Sequence, residues 1–332
     1  MKPKSLFLLG SDKFSAIYGE AEQAAIRELT DVLVDRPLSR NEVMAHPEWL
    51  AECEIVFSGW GGPRMDAEFL ALAPKLKAVF YGAGSVKKII SDAFWERDIL
   101  LTSSWAANAV PVAEFTLAQI LLSLKRCWQQ MREIRENQKY SGKLPVAGAY
   151  QSTVAIISLG MIGRMVCEHL QRFDLRVIAY DPFAKQEDAD KLGVTLCSLD
   201  DCFREGDVVS LHAPWLKETE KMITGDHFTM MKENATFINT ARGAVVDEAA
   251  MIAVLQKRTD VTALLDVTYP EPPVEGSPLY TMPNVYLTPH IAGSLDGECR
   301  RMGQYAIDEC RRYLQGEPLQ WQVTKELAAR MA

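Results

Sequence analysis

Residues 153–181 read TVAIISLGMIGRMVCEHLQRFDLRVIAYD. Val154-Ala155-Ile156-Ile157 is a short apolar run and reads as a buried strand. Gly160 and Gly163 follow in a tight turn. A helical pattern comes next, with Met165, Val166, His169 and Leu170 spaced for one face. Val177-Ile178-Ala179-Tyr180 is a second strand, and it ends at Asp181. Strand, glycine turn, helix, strand, acid is the order of a dinucleotide-binding unit. Small residues let the backbone approach a pyrophosphate, and amides at the helix start face the anion. An acid after the second strand accepts ribose hydroxyls and repels a 2′-phosphate, so Asp181 points to NAD over NADP. The motif itself reads S-L-G-M-I-G. Ser158 stands where the fingerprint has its first glycine, and serine resists φ > 0 more than glycine does. A glycine turn between strand and helix also occurs in α/β proteins that bind nothing, so the reading rests on the whole unit.

Upstream, residues 1 to about 104 alternate strands with helices. Candidate strands are 5–9, 31–34, 54–58, 78–81 and 99–102, with helical stretches such as 21–29 and 65–71 between them. That alternation predicts an open parallel sheet covered on both faces. Two glycine-rich stretches follow strands, Gly59-Trp60-Gly61-Gly62 and Gly82-Ala83-Gly84-Ser85. Small residues there can present bare amides to a carboxylate, although turn chemistry alone also accounts for them. Residues 108–137 form one long helical pattern after Pro111, apolar in its first half and charged in its second. Such a helix suits a connector or a subunit arm. Residues 139–149 read as an exposed loop. Downstream of Asp181 the alternation resumes, with strands expected at 194–196, 208–211, 236–239, 263–266 and 285–287. A polar helix is expected over 295–314.

The bulk numbers agree with an ordinary enzyme-sized chain. Its 332 residues suit two domains. With 48% hydrophobic and 24% charged residues it has the composition of a globular protein. A net charge of −8 speaks against nucleic acid or an anionic membrane as the main partner. The apolar run near the N-terminus is short for a secretory signal and reads as a first strand. No stretch reads as a membrane span. Seven cysteines are scattered without a CxxC, and Cys197 and Cys202 are the nearest pair. Free thiols in a reducing cytoplasm are the expectation.

Three residues fall just after three of the later strands: Arg242 in NTARGAVVDE, Glu271 in LLDVTYPEPP and His290 in NVYLTPHIAGS. Ends of parallel strands converge on one crevice. Arg242 offers a planar fork for a carboxylate or a polarised carbonyl. His290 can give or take a hydroxyl proton. Glu271 can bond and orient the imidazole. Each also has a plain alternative, as a surface ion pair, a core histidine or a solvated turn acid. It is their joint placement beside a nucleotide unit that favours chemistry.

The blocks ISLGMIGR, YDPF, LHAP, INTARGAVVDE, DVTYPEPP and LTPHIAGS together resemble the D-isomer-specific 2-hydroxyacid dehydrogenases, over nearly the whole chain. The resemblance implies an α/β protein of two doubly wound parallel-sheet domains. One is a Rossmann-type NAD-binding domain over 105–295. The other is a discontinuous flavodoxin-like substrate domain over 1–104 plus 296–332. It implies hydride transfer between NAD(H) and a small 2-hydroxy or 2-oxo acid, with Arg242, Glu271 and His290 catalytic and no metal. Cofactor contacts implied are Gly160, Met161, Ile162, Asp181, His212, Ala213, Pro214, Thr240, Ala241, Asp266, His290 and Gly293. Substrate contacts implied are Ala83, Gly84, Ser85 and Arg242, with domain closure over the substrate. A cytoplasmic homodimer is implied as well. The substrate loop GAGSV lacks the Asp or Asn that often follows the glycines, so no named member's substrate carries over. An NAD(H)-sensing binding protein, or phosphite-type oxidation, are the alternatives on the same fold.

Overall fold

Short apolar runs separated by amphipathic helices become parallel strands, and the computed structural model, which describes residues 2–140 and 142–331, sorts them into two sheets. Ser141, inside the expected 139–149 loop, and the two end residues of the expected substrate domain lie outside the described residues. Two compact units result. One takes residues up to Ala109 together with Ser294–Met331, and the other takes Val110–Gly293.

The first unit holds strands β1 (Lys4–Leu8), β2 (Asp31–Pro37), β3 (Ile55–Ser58), β4 (Ala78–Tyr81) and β5 (Leu100–Ser103) in the order β2-β1-β3-β4-β5, all parallel. This is the flavodoxin-like order. Every residue of β3 and β4 is buried, as expected for strands covered on both faces. One face packs Phe7, Tyr18, Phe57 and Phe80 against Met302, Ala306, Ile307 and Cys310 of the returning helix Cys299–Gln315. That helix starts four residues later than its pattern predicts, because Asp296–Glu298 form a 3₁₀ turn first. Its Glu309 is 1% exposed, yet accepts from Arg312 Nη1 at 2.6 Å, the Gln320 amide at 3.1 Å and the Trp321 amide at 2.9 Å. A buried carboxylate thus ties the C-terminal segment to the unit.

The second unit holds β6 (Tyr150–Ile157), β7 (Asp174–Tyr180), β8 (Thr195–Leu196), β9 (Val208–Leu211), β10 (Thr236–Asn239), β11 (Thr262–Leu265) and β12 (Val285–Leu287). Their order, β12-β11-β10-β9-β6-β7-β8, is parallel throughout. The chain runs outward from β6 to β8 and then crosses to β9 on the other side of β6. That reversal opens a crevice at the carboxyl ends of β6 and β9. The helix Met161–Leu170 buries Gly163, Val166, Cys167 and Leu170. Met165 and His169 sit at the edge of that face rather than within it.

The long helical pattern of 108–137 is two helices, Trp105–Leu124 and Cys127–Asn137. Arg126 between them has φ +50°, and the Leu124 carbonyl accepts the Gly148 amide at 2.9 Å. A single left-handed residue ends a helix without disturbing the apolar period, so the pattern reads through the break. The first of the two, at 20 residues and mean hydropathy 1.4, is long and apolar enough to cross a membrane by length and composition, contrary to the sequence reading. Its Ala113, Ile120 and Leu124 pack against Val154 and Ile156 in the core of the second unit, which accounts for that apolarity.

Candidate active site

The phosphate turn is built from β6 and the helix Met161–Leu170. Gly160 is the residue that starts the helix, followed by Met161 and Ile162. A Cβ on Gly163 would collide with the Ser158 carbonyl oxygen, so glycine is what lets helix and turn close up. A Cβ on Gly160 would meet nothing nearer than Ser158 Oγ at 4.0 Å, which leaves open space over the helix start. Ser158 itself adopts φ +80°. The serine is therefore held in the glycine conformation, and the turn keeps its shape despite the substitution.

Asp181 closes this turn from the end of β7. Its Oδ2 accepts the Leu159 amide at 2.7 Å and lies 3.4 Å from Ser158 Oγ. Its Oδ1 accepts the amides of Phe183 at 2.8 Å and Ala184 at 3.1 Å. The expected ribose acid is thus also a brace between two loops. A carboxylate has about four acceptor directions, so its orientation is set before any ligand arrives.

Across the crevice, His212, Ala213 and Pro214 follow β9. His212 Nε2 is 2.9 Å from Ser210 Oγ, while its Nδ1 is buried without a partner among the described residues. Burial pushes the imidazole down to about 3, so the ring is neutral. Thr240 and Ala241 follow β10; Thr240 Oγ1 is 3.1 Å from Thr116 Oγ1. Thr240 and Asp266 line a cavity of about 170 Å³ together with Thr288, Phe115, Trp128 and Tyr286. The open helix start, the orphaned histidine nitrogen and the acid at the second strand fit a dinucleotide.

Arg242, Glu271 and His290 are brought together. Glu271 Oε1 is 2.7 Å from His290 Nδ1. Arg242 donates through Nη1 to the Ala241 carbonyl at 2.6 Å. Burial lowers the guanidinium's pKa, and the nearby Glu271 carboxylate works in the opposite direction. His290 adopts φ +56°, and its amide reaches the Asp266 carbonyl at 3.0 Å. The Asp266 carboxylate accepts from Thr288 Oγ1 at 2.6 Å, the Ile291 amide at 2.8 Å and the Ala292 amide at 2.9 Å. Asp266, expected as a cofactor contact, also pins the loop that presents His290 and leads to Gly293.

Two supporting residues escaped the sequence reading. Asn239, at the end of β10, accepts the Ala241 amide at 3.0 Å and donates to the Arg242 carbonyl at 3.2 Å, clamping the turn that aims Arg242. Glu248 accepts the Tyr269 amide at 3.0 Å at the start of the Tyr-Pro-Glu segment. Partial burial raises its pKa, and that amide bond holds it down in part. A polar residue ending a buried strand was the available signal for Asn239. Glu248 stands in the first turn of a helix, where an acid needs no reason beyond the helix dipole. Ala83, Gly84 and Ser85, in the first unit, follow β4; Ser103 Oγ donates to the carbonyls of Ala83 at 2.9 Å and Gly84 at 2.6 Å, which fixes the loop. Among the described residues no group of three or more His, Cys, Asp or Glu is placed to hold a metal.

A family model described as D-isomer specific 2-hydroxyacid dehydrogenase, NAD binding domain, matches residues 117–292. A D-3-phosphoglycerate dehydrogenase of Archaeoglobus fulgidus is 30% identical over 256 residues, covering 77% of this chain and 49% of its own. A glyoxylate reductase of Korarchaeum cryptofilum is 30% identical over 274 residues, covering 81% of this chain and 82% of its own. The chain spans about half the length of the phosphoglycerate dehydrogenases it matches. Among solved structures, a D-isomer specific 2-hydroxyacid dehydrogenase of Xanthobacter autotrophicus Py2, in complex with NADPH and MES, superposes with TM-score 0.76 at 26% identity, over 99% of this chain and 100% of its own.

Proposed function

The chain belongs to the D-isomer specific 2-hydroxyacid dehydrogenases, and on that footing we propose that it exchanges hydride between NAD(H) and a small D-2-hydroxy acid or its 2-oxo form. The observation that carries this reading is the 2.7 Å bond between Glu271 and His290, with Arg242 beside it. Bound nicotinamide supplies or accepts the hydride. Glu271 accepts the Nδ1–H of His290, which leaves Nε2 as the atom that exchanges a proton. In reduction His290 gives that proton to the substrate oxygen, and in oxidation it takes it back. Arg242, largely buried, holds and polarises the substrate carbonyl with little screening from water. Gly160, Met161 and Ile162 receive the pyrophosphate at the helix start, and Asp181 receives the ribose.

Further assignments belong to the same reading. Ala83, Gly84 and Ser85 take the substrate carboxylate, an assignment supported by the family resemblance. A cytoplasmic homodimer is supported by free cysteines and by exposed apolar side chains on the second unit, Met131, Ile134, Tyr140, Val146 and Tyr150. Sedimentation of the purified protein tests the dimer.

The reaction is tested by following NADH absorbance with glyoxylate, pyruvate, hydroxypyruvate, phosphohydroxypyruvate and 2-oxoglutarate, each repeated with NADPH. Turnover of at least one acid is expected, with NADH preferred. His290→Asn should lower kcat by about 100-fold or more while NADH still binds. Near-normal turnover by that variant would remove His290 from the chemistry. Silence across the panel with intact NADH binding would move the reading to a sensing role.

A further inference from the structure

Cys197 and Cys202 flank the start of the helix Leu199–Glu205. Ser198 caps it, its hydroxyl accepting the Asp201 amide at 3.1 Å. Counted from that cap, Cys197 is the residue before it and Cys202 is the fourth residue of the helix. These are the two positions whose side chains meet when apolar residues staple a helix start. Here both staple residues are thiols, with the sulfurs 3.5 Å apart. Cys202 is fully buried in the core of the second unit, while Cys197 is partly open to solvent. Of the other five cysteines, Cys53, Cys167, Cys299 and Cys310 are buried. Cys127 is partly open, but its sulfur partner is Met131 Sδ at 3.6 Å. Among the described residues, the Cys197–Cys202 pair is where a solvent-reachable thiol touches a second thiol.

We propose that Cys197 and Cys202 form a reversible disulfide site, in which a hydroperoxide converts an apolar helix staple into a covalent one. Their roles differ. The hydrogen bond shared with the Cys202 sulfur lowers the Cys197 pKa, with a smaller contribution from the Arg176 charge and opposition from burial, Asp201 and Glu205. The same bond, together with burial, raises Cys202. Cys197 is therefore the attacking thiolate and Cys202 the resolving thiol. Cys197 sulfur attacks one peroxide oxygen, the O–O bond breaks, and a sulfenic acid and hydroxide (or alkoxide) result. The leaving oxygen takes the proton that Cys197 gave up. Cys202 sulfur then attacks the sulfenic sulfur; the S–S bond forms, the S–O bond breaks, and the Cys202 proton leaves with that oxygen as water. Two thiols lose two hydrogens in all, and one hydroperoxide is reduced.

The site adjoins the strand that ends in Asp181. Cys197 follows β8, and its amide donates to the Ala179 carbonyl of β7 at 2.9 Å, two residues before Asp181. Forming the bond draws Cys197 toward the helix and away from that strand end. Oxidation is therefore expected to weaken NADH binding, a consequence that rests on the cofactor reading above.

The test treats the purified full chain with hydrogen peroxide near stoichiometry, blocks the remaining thiols with N-ethylmaleimide, digests it with trypsin near neutral pH, and weighs the peptide 192–204, which contains both cysteines and escapes the block only when they are bonded. Loss of two hydrogens, reversed by a dithiol reductant, is expected. Cys197→Ser and Cys202→Val should each abolish it; the second keeps the staple apolar should Cys202→Ser not fold. A peptide that keeps both thiols while Cys127 oxidises, or that runs to sulfinic acid at Cys197, overturns the proposal. NADH titration of reduced and oxidised protein reads the consequence separately. About five-fold weaker binding or more is expected, the low end of coupling between sites. A disulfide with unchanged NADH affinity overturns the coupling and keeps the site. Absent NADH binding in the reduced protein counts against the cofactor reading and leaves the peptide result standing.

Discussion

Replacing Ser158 with glycine should stabilise the second unit. Ser158 is held at φ +80°, in the turn that precedes the helix Met161–Leu170. A residue with a Cβ costs roughly 1–2 kcal/mol in that conformation. Glycine removes this cost but makes the unfolded chain more disordered, which takes back about 0.4–1 kcal/mol. The serine hydroxyl contributes little, because its contact with Asp181 Oδ2 is 3.4 Å long. The net expectation is a gain of about 0.5–1 kcal/mol, or roughly 2 °C in the melting of a domain this size. Scanning calorimetry of the wild type, Ser158→Gly and Ser158→Ala measures it. The alanine variant keeps the Cβ and loses only the hydroxyl, so it should fall within about 0.5 kcal/mol of the wild type. NADH affinity should be unchanged or slightly higher in the glycine variant, since the turn already has the glycine shape. A glycine variant no more stable than the wild type would refute the idea that strain is stored at Ser158. A weaker NADH complex would mean that the hydroxyl itself serves the nucleotide.

Three further outcomes can be checked. His212 is neutral in the fold, at about 3 against an ordinary 6.5, so the unfolded chain binds the extra proton. Its contribution is fully present above about pH 6.5 and is lost as pH falls toward 3, by up to about 1.4 kcal/mol per unit. Urea midpoints from pH 7 to pH 4.5 should fall more steeply in the wild type than in His212→Leu, and parallel curves would exclude the effect. Asp181→Ala removes the acceptor of the Leu159, Phe183 and Ala184 amides. It should weaken NADH binding and narrow the preference over NADPH, and an unchanged NADH/NADPH ratio of kcat/KM would remove Asp181 from cofactor choice. Glu309→Ala strands Arg312 and two buried-side amides. It should cost about 3 kcal/mol, read as a lower melting transition of the first unit, with a shift under about 0.5 kcal/mol showing that the tie is ornamental.

What could be read from the chain without its structure follows from local physics. The buried strands of both sheets are apolar runs bounded by turn residues, so their centres were legible to within a residue or two. Arg126 was not, because one left-handed residue leaves the hydrophobic period of residues 108–137 intact. His290, Glu271 and Arg242 were legible as candidates, since each is a chemically capable side chain placed just past a strand end. Their supports were harder to see. Asn239 and Glu248 act through backbone amides of other loops, and such bonds depend on how loops meet rather than on any spacing in sequence. Asp181 and Asp266 were singled out as residues that could serve a ligand. That each also braces the loop beside it follows only from the amides gathered around its carboxylate. The nearness of Cys197 and Cys202 along the chain was plain, but their contact depends on Ser198 being the cap.

The first unit is made from two separated pieces of chain, and this has a consequence for biosynthesis. Phe7, Ile17 and Tyr18 share their core with Met302, Ala306, Ile307 and Cys310. A ribosome adds roughly 5–20 residues per second, so the early strands wait on the order of tens of seconds for the helix that covers them. The residues of the second unit are all available before that helix emerges. A chain stopped at Gly293 should therefore carry a protease-sensitive first half and a protected second half, and equal protection of both would contradict this. The earlier-made piece of the first unit finishes folding only once the later-made piece arrives, and until then its aromatic face is open to chaperones.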